Sequence, residues 1–261
     1  LICASFFYFL FTKYYLSFKE TYLYSTAGYA THGLLDTFTT YGTQLLWPFT
    51  DDRYAWHLIS IIDPLFTIPI LLFCLYGLIK QSKKYSSYAI IWIFLYFSIS
   101  AIQKNRAESI FFDIAEQRKH DVETIIAKPS FANIIIWKVI SSTKTHYHVD
   151  AIKLGFSPVI YYGENIKKLD IDKDLEWLDT SSQQYMDLKR FKWFSNNYIA
   201  LSKSDNNIVY DIRFSSIPYE IEGLWGVKIS REKNNDEHIE YITNRKSGKE
   251  RFQRLFEMIV D

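Results

Sequence analysis

Residues 58–79 hold a single charge, Asp63, in a run of 22 otherwise apolar or uncharged positions. At 1.5 Å per residue such a run, if helical, reaches the roughly 30 Å needed to cross hydrocarbon. A second uncharged run, residues 86–102, contains Tyr88, Trp92 and Tyr96 and lies at the lower length limit. Between the two sits Lys80-Gln-Ser-Lys83-Lys84, a basic loop that the positive-inside rule assigns to the cytoplasm. These runs constrain the chain more than any other feature, because backbone inside a bilayer must satisfy its own hydrogen bonds.

Charge divides the chain. Residues 1–103 are mostly apolar, and residues 104–261 carry most of the Lys, Arg, Asp and Glu. The expectation is an α-helical membrane region over 1–103, an amphipathic connecting helix over 104–129 ending at Pro129, and a small antiparallel β-rich (α+β) soluble domain over 130–261. Strands are expected at 133–140, 147–154, 159–162, 198–202, 208–214 and 226–231, with turn-forming clusters such as Ser204-Asp-Asn-Asn207 between them. A short helix is expected at 249–259. The chain opens in an apolar stretch without Met, which reads as the tail of a membrane helix whose start lies upstream. A net charge of +1 implies no nucleic-acid partner. Two cysteines, Cys3 and Cys74, both in apolar runs, exclude a four-cysteine zinc site and read as buried thiols.

Polar groups of metal-ligand type stand inside this apolar context. His32 and Asp36 are four residues apart, which on a helix places both on one face. Imidazole and carboxylate suit Zn²⁺, Mn²⁺ or Fe²⁺, although a local His–Asp hydrogen bond would use the same spacing. Leu35, Thr39 and Thr40 continue that face until Gly42 and Pro48 break the helix. Asp63-Pro64 is the pattern of a helix start, Asp as N-cap and Pro at the first turn, and a capping carboxylate can also bind metal. Arg53, after Asp51 and Asp52, reads as an ordinary loop charge or as an anion contact. His146-Tyr-His148-Val-Asp150 matches the start of a His-x-His-x-Asp-His metal motif, but residue 151 is Ala, and alternation puts the three on one, solvated, strand face.

Taken in order, the helix His32-Gly-Leu-Leu-Asp36 with Thr40-Tyr-Gly42, the loop Trp47-Pro48-Phe49 through Arg53, and Ile62-Asp63-Pro64 resemble the membrane-bound metal-dependent hydrolase family, the LexA-regulated, YdjM-like group. The resemblance covers about residues 30–72. It implies a bacterial inner-membrane protein in which His32, Asp36 and Asp63 ligate a divalent metal, Zn before Mn or Fe, with Arg53 as an anion or substrate contact. The family's upstream His-Arg-Gly-x-Thr-His segment does not occur in this chain. The implied activity is metal-dependent hydrolysis of a lipid-linked or phosphate-bearing substrate at the bilayer, with the β-rich domain extracytoplasmic. The alternative is a non-catalytic, membrane-anchored binding or structural protein whose β domain is the working part.

Overall fold

A computed structural model describes residues 1–244 and 248–260, and it divides the chain into two compact units, Leu1–His57 and Leu58–Asp261.

The first unit is helical. Helix α1 (Ile2–Phe7) continues through one π-helical turn, Tyr8–Thr12, and helix α2 spans Phe18–Thr37. A capping box starts α2: Ser17 Oγ accepts from the Glu20 N–H, and the Glu20 carboxylate accepts from the Ser17 N–H. The Ser-x-x-Glu signature at 17–20 marks this start in the sequence. The helix ends earlier than the polar stripe suggests. Thr37 Oγ1 donates to the Leu34 carbonyl and Thr39 Oγ1 to the Asp36 carbonyl, so threonine hydroxyls occupy the last-turn acceptors. Thr39 and Thr40 therefore lie beyond α2 rather than on its face. The loop that follows folds back through an antiparallel bridge between Thr43 and Tyr54.

In the second unit, helix α3 runs Pro64–Lys80 and helix α4 runs Lys84–Gln117. Residues 58–63, expected inside the first span, precede the helix, because Asp63 caps it and Pro64 holds its first turn. The pair forms an antiparallel hairpin with stacked aromatic contacts Phe66–Phe97 near one end and Tyr76–Tyr85 near the other. Lys84–Gln117 is long and apolar enough to cross a membrane, whereas α3 is a shorter apolar helix. Cys3 on α1 and Cys74 on α3 are exposed, not buried as expected.

The connecting helix expected over 104–129 is the second half of α4, continuous with the apolar half, and it stops at Gln117. Residues expected at its end form strand β1 (Thr124–Pro129), which pairs antiparallel with β2 (Ile136–Ser142). Strand β3 (His146–Lys153) pairs with β2, β4 (Val159–Tyr161) and β5 (Asn165–Lys167), giving a five-stranded antiparallel sheet. After α5 (Ile171–Asp174) and α6 (Gln183–Phe194), a second antiparallel sheet follows in the order β6 (Ile199–Leu201), β7 (Ile208–Asp211), β8 (Trp225–Lys228), β9 (Glu240–Thr243). Helix α7 (Gly248–Val260) closes the described chain. The α+β class and the helical region preceding it agree with the sequence reading.

Apolar residues of the two sheets meet in one core: Ile140, Tyr147 and Val149 from the first and Ala200 and Ile212 from the second. Met258 of α7 packs with Ile136, Ala151 and Ile217. Burial of Ala107, Phe111, Ile114 and Ala115 marks the part of α4 that belongs to this domain, packed against β1 and β2. Helix α4 thus serves both as an apolar span and as a core element. At 34 residues it is about 50 Å long, well beyond one hydrocarbon thickness.

Candidate functional site

Helix α2 brings His32 and Asp36 together. Nε2 of His32 lies 3.5 Å from Oδ2 of Asp36, and both side chains are open, 68% and 46% exposed. At this separation the two side chains make the i,i+4 His–Asp contact that the spacing allows, and both donor atoms face the open side of the helix. Among the described residues, no group of three or more His, Cys, Asp or Glu side chains is placed to hold a metal ion. His32 and Asp36 thus stand as a pair of side chains on α2, without a third such group beside them among the described residues.

Arg53, from the same unit, donates from one guanidinium nitrogen to the carbonyls of Tyr41 and Gly42, each at 3.0 Å. Gly42 occupies the left-handed region at φ 88°, the backbone turn that brings these carbonyls to the guanidinium. Arg53 thereby braces the turn after α2 and fixes the loop that follows the His–Asp pair. His57, at the end of this unit, is buried, and its N–H donates to the Thr39 carbonyl.

Asp63 lies in the second unit and is buried. One carboxylate oxygen accepts from the Phe66 N–H at 3.2 Å, the N-cap bond that its sequence context predicts. The other accepts from the Tyr96 hydroxyl at 2.7 Å, tying α3 to α4. Trp92 donates to the Phe66 carbonyl, and the Ser100 hydroxyl donates to the Leu58 carbonyl, so the start of α3 is held to α4 by polar groups in an apolar setting. Each oxygen of Asp63 holds one hydrogen bond and keeps a further lone pair.

His146, His148 and Asp150 do not share the solvated face expected of them. Asp150 is buried, takes a 2.7 Å bond from Arg118 at the end of α4 and accepts from the Gly163 N–H. His148 stacks on His120, ring centroids 3.8 Å apart, and lies 6.4 Å from His146. Burial, then the neighbouring His120, His146 and Arg118, hold His148 down at about 4, against the opposing pull of Asp150. Burial and Arg118 also lower His120. Both imidazoles are therefore neutral in the folded protein near neutral pH, where they stack without charge repulsion.

A stability loss in acid follows. The folded-state pKa is depressed below the unfolded value of about 6.5, so the unfolded chain takes up protons that the folded chain refuses. Stability is unaffected above that value and falls as the pH drops from about 6.5 towards 4. Solvent screening of this half-open pair limits the loss to the order of 1 kcal/mol. Thermal unfolding at pH 7.5 and 4.5 measures it, and His148→Phe is expected to flatten the difference. An unchanged pH slope in that variant contradicts the assignment.

Sequence reasoning missed a buried polar cluster in the β-rich domain. Lys128 and Lys138 stand opposite each other on β1 and β2, beside the Asp211–Arg213 pair, and all four are buried. Arg213 makes a bidentate contact to Asp211, with Nη2–Oδ2 at 2.7 Å and Nε–Oδ1 at 2.9 Å, and also donates to the Phe194 carbonyl. Lys138 Nζ donates to Ser215 Oγ and the Glu220 carbonyl, and burial pushes it down to about 7. Lys128 lies over the Phe214 ring at 3.9 Å, and burial pushes it well below the usual lysine range. Residue-type alternation alone does not reveal this cluster, because its partners are more than 70 positions apart in the chain.

Residues 1–107 match the family described as YdjM inner membrane protein, and this stretch contains His32, Asp36, Arg53 and Asp63. Neither a curated relative nor a solved structure matches the chain.

Proposed function

We propose, from the resemblance of the His32–Asp36, Arg53 and Asp63-Pro64 motifs to membrane-bound metal-dependent hydrolases, that this protein is a membrane-bound hydrolase that uses a divalent metal held first by His32 and Asp36; the match of residues 1–107 to the YdjM inner membrane protein family supports the membrane placement. The open His32–Asp36 pair on α2, with Nε2 and Oδ2 3.5 Å apart, is the observation that supports this reading. Zn²⁺ suits a mixed imidazole–carboxylate pair, with Mn²⁺ and Fe²⁺ as alternatives. A metal bound there would supply a water of lowered pKa and polarise a phosphoryl or acyl oxygen. Imidazole Nε2 and carboxylate Oδ2 are the donor atoms this chain offers. Arg53 orients the adjacent loop through its carbonyl contacts, and its guanidinium charge favours an anionic substrate group near the same turn. Asp63 enters as a further ligand on the strength of the motif resemblance alone. A lipid-linked or phosphate-bearing substrate suits a site in a membrane-bound protein.

The test is hydrolysis by the purified protein after chelation and after reloading with Zn²⁺, Mn²⁺ or Fe²⁺. Phosphate release from inner-membrane lipid extracts and cleavage of p-nitrophenyl phosphate and acetate are the readouts. Metal-restored turnover that His32→Ala abolishes supports the reading. Turnover indifferent to chelation and to His32→Ala contradicts it. Asp63→Asn separates the two roles of Asp63, since Asn keeps the cap and the Tyr96 bond but weakens a metal site.

A second reading, a non-catalytic membrane-anchored binding protein, draws on the fact that Arg53 and Asp63 both satisfy main-chain groups. In that case, alanine variants at His32 and Asp36 leave function untouched.

We further infer an extracytoplasmic β-rich domain. In the antiparallel α3–α4 hairpin, the basic loop Lys80–Lys84 and the domain-bearing end of α4 lie at opposite ends. Cysteines placed at Ser82 and Ser204 in a Cys3→Ser/Cys74→Ser background are expected to react from opposite faces of the membrane in intact cells. Labelling from one face contradicts this topology.

A further inference from the structure

We propose that the β-rich domain rests on the bilayer through an apolar collar formed by Ile61, Ile62, Phe131, Phe156, Phe252 and Phe256, around the point where α3 and α4 meet the domain. Each of the six side chains is exposed, from 47% at Phe131 to full exposure at Phe156. Two hydrogen-bonded turns and one aromatic contact fix them at one level of the helical hairpin. The 131–132 turn is tied to the approach to α3, where the Ala132 N–H donates to Ser60 Oγ at 3.3 Å, one residue before Ile61. The 154–156 turn is tied to α4, where Gln103 donates to the Leu154 carbonyl and Arg106 to the Gly155 carbonyl at 3.0 Å. Helix α7 is tied to the first turn by an edge-to-face contact of Phe252 with Phe131, ring centroids 6.4 Å apart.

Helix α7 itself has two apolar faces. Leu255 and Met258 face the domain core, while Phe252 and Phe256, four residues apart, face outward. A helix on a freely solvated surface has no use for the second face. Scattered exposed apolar residues are ordinary, but large ones gathered on one rim mark an interaction surface.

The bilayer is the occupant favoured by continuity. Below the collar, α3 and α4 expose Leu65, Ile68, Leu72, Phe94, Leu95 and Ile99, the outer surface of an apolar hairpin. The collar continues that surface at the level of Gln103 and Arg106, where the uncharged run of α4 ends. Phenylalanine and isoleucine rings and chains at this level would enter the headgroup–acyl boundary, as the apolar face of an interfacial helix does. Lys249 of α7 is exposed three residues before Phe252, and so on the same side of the helix, where lipid phosphates would meet it. Arg106 and Lys104, charges at the outer end of a membrane helix, are also accounted for. Arg106 holds the 155 carbonyl and Gln103, and Lys104 pairs with Glu108.

The inference rests on the membrane placement of α3 and α4, and one label reads that placement separately. In a cysteine-free background, Leu72→Cys, Phe252→Cys, Phe156→Cys and Tyr241→Cys are each labelled with the fluorophore NBD. The proteins are then placed in nanodiscs of phosphatidylethanolamine and phosphatidylglycerol. Quenching of the label at 72 by deep doxyl lipid tests the hairpin. Labels at 252 and 156 are expected to be blue-shifted and quenched several-fold more by shallow doxyl lipid than by aqueous iodide. The label at 241, exposed on β9, is expected to show the reverse. Iodide quenching at 252 and 156 equal to that at 241, with 72 still lipid-quenched, overturns the collar alone. Shielding of 252 from both quenchers points to a protein partner, such as a second copy, and also overturns it.

Discussion

Replacing Arg213 with methionine is expected to destabilise the β-rich domain by about 3–5 kcal/mol, the cost of leaving a buried carboxylate without its partner. Asp211 is fully buried, and its two oxygens take three hydrogen bonds from the Arg213 side chain. Both residues are shut off from bulk solvent, and the neighbouring cations, Lys128 and Lys138, are themselves held towards the neutral form by burial. The reverse variant, Asp211→Asn, strands Arg213 beside those two lysines and is expected to cost a comparable amount. The double variant Asp211→Leu/Arg213→Met removes both charges and is expected to recover much of the loss. Chemical denaturation followed by tryptophan fluorescence measures all three. A single-variant loss below about 1 kcal/mol, the range of exposed pairs, contradicts a structural role for this ion pair.

The second large effect concerns α2. His32→Ala and Asp36→Ala are each expected to lower metal affinity at least tenfold, since each removes one of two donors that the helix presents together. Both side chains are open to their surroundings, so neither substitution is expected to change folding by more than a few tenths of a kcal/mol. That separation of binding from stability distinguishes a metal pair from a local His–Asp contact that merely steadies the helix.

Several of these features are legible in the sequence. The four-residue spacing of His32 and Asp36 and the Asp63-Pro64 cap both rest on local geometry, and the structure places them as local geometry requires. The same holds for β2, β3 and β7, whose apolar positions alternate or run continuously. The failures are non-local. Strand β1 hides behind helix-forming neighbours and a lysine, Lys128, which becomes a core residue only because β2 lies beside it. Helix α6 is too polar for periodicity to show, and its start depends on Ser182 accepting from the Tyr185 N–H. Asp150 looked solvent-facing because alternation assigns a face but does not say that α4 covers it with Arg118. Arg53 could not be read as a loop brace, because its partners are backbone carbonyls that carry no residue identity.

Metal content of the purified protein tests the central claim most directly. After reconstitution with Zn²⁺ and removal of unbound ions, elemental analysis is expected to find close to one metal per chain in the unsubstituted protein. The His32→Ala/Asp36→Ala variant is expected to retain little or none while keeping the same unfolding transition. Equal metal in the two proteins, or none in either, contradicts a metal site on α2.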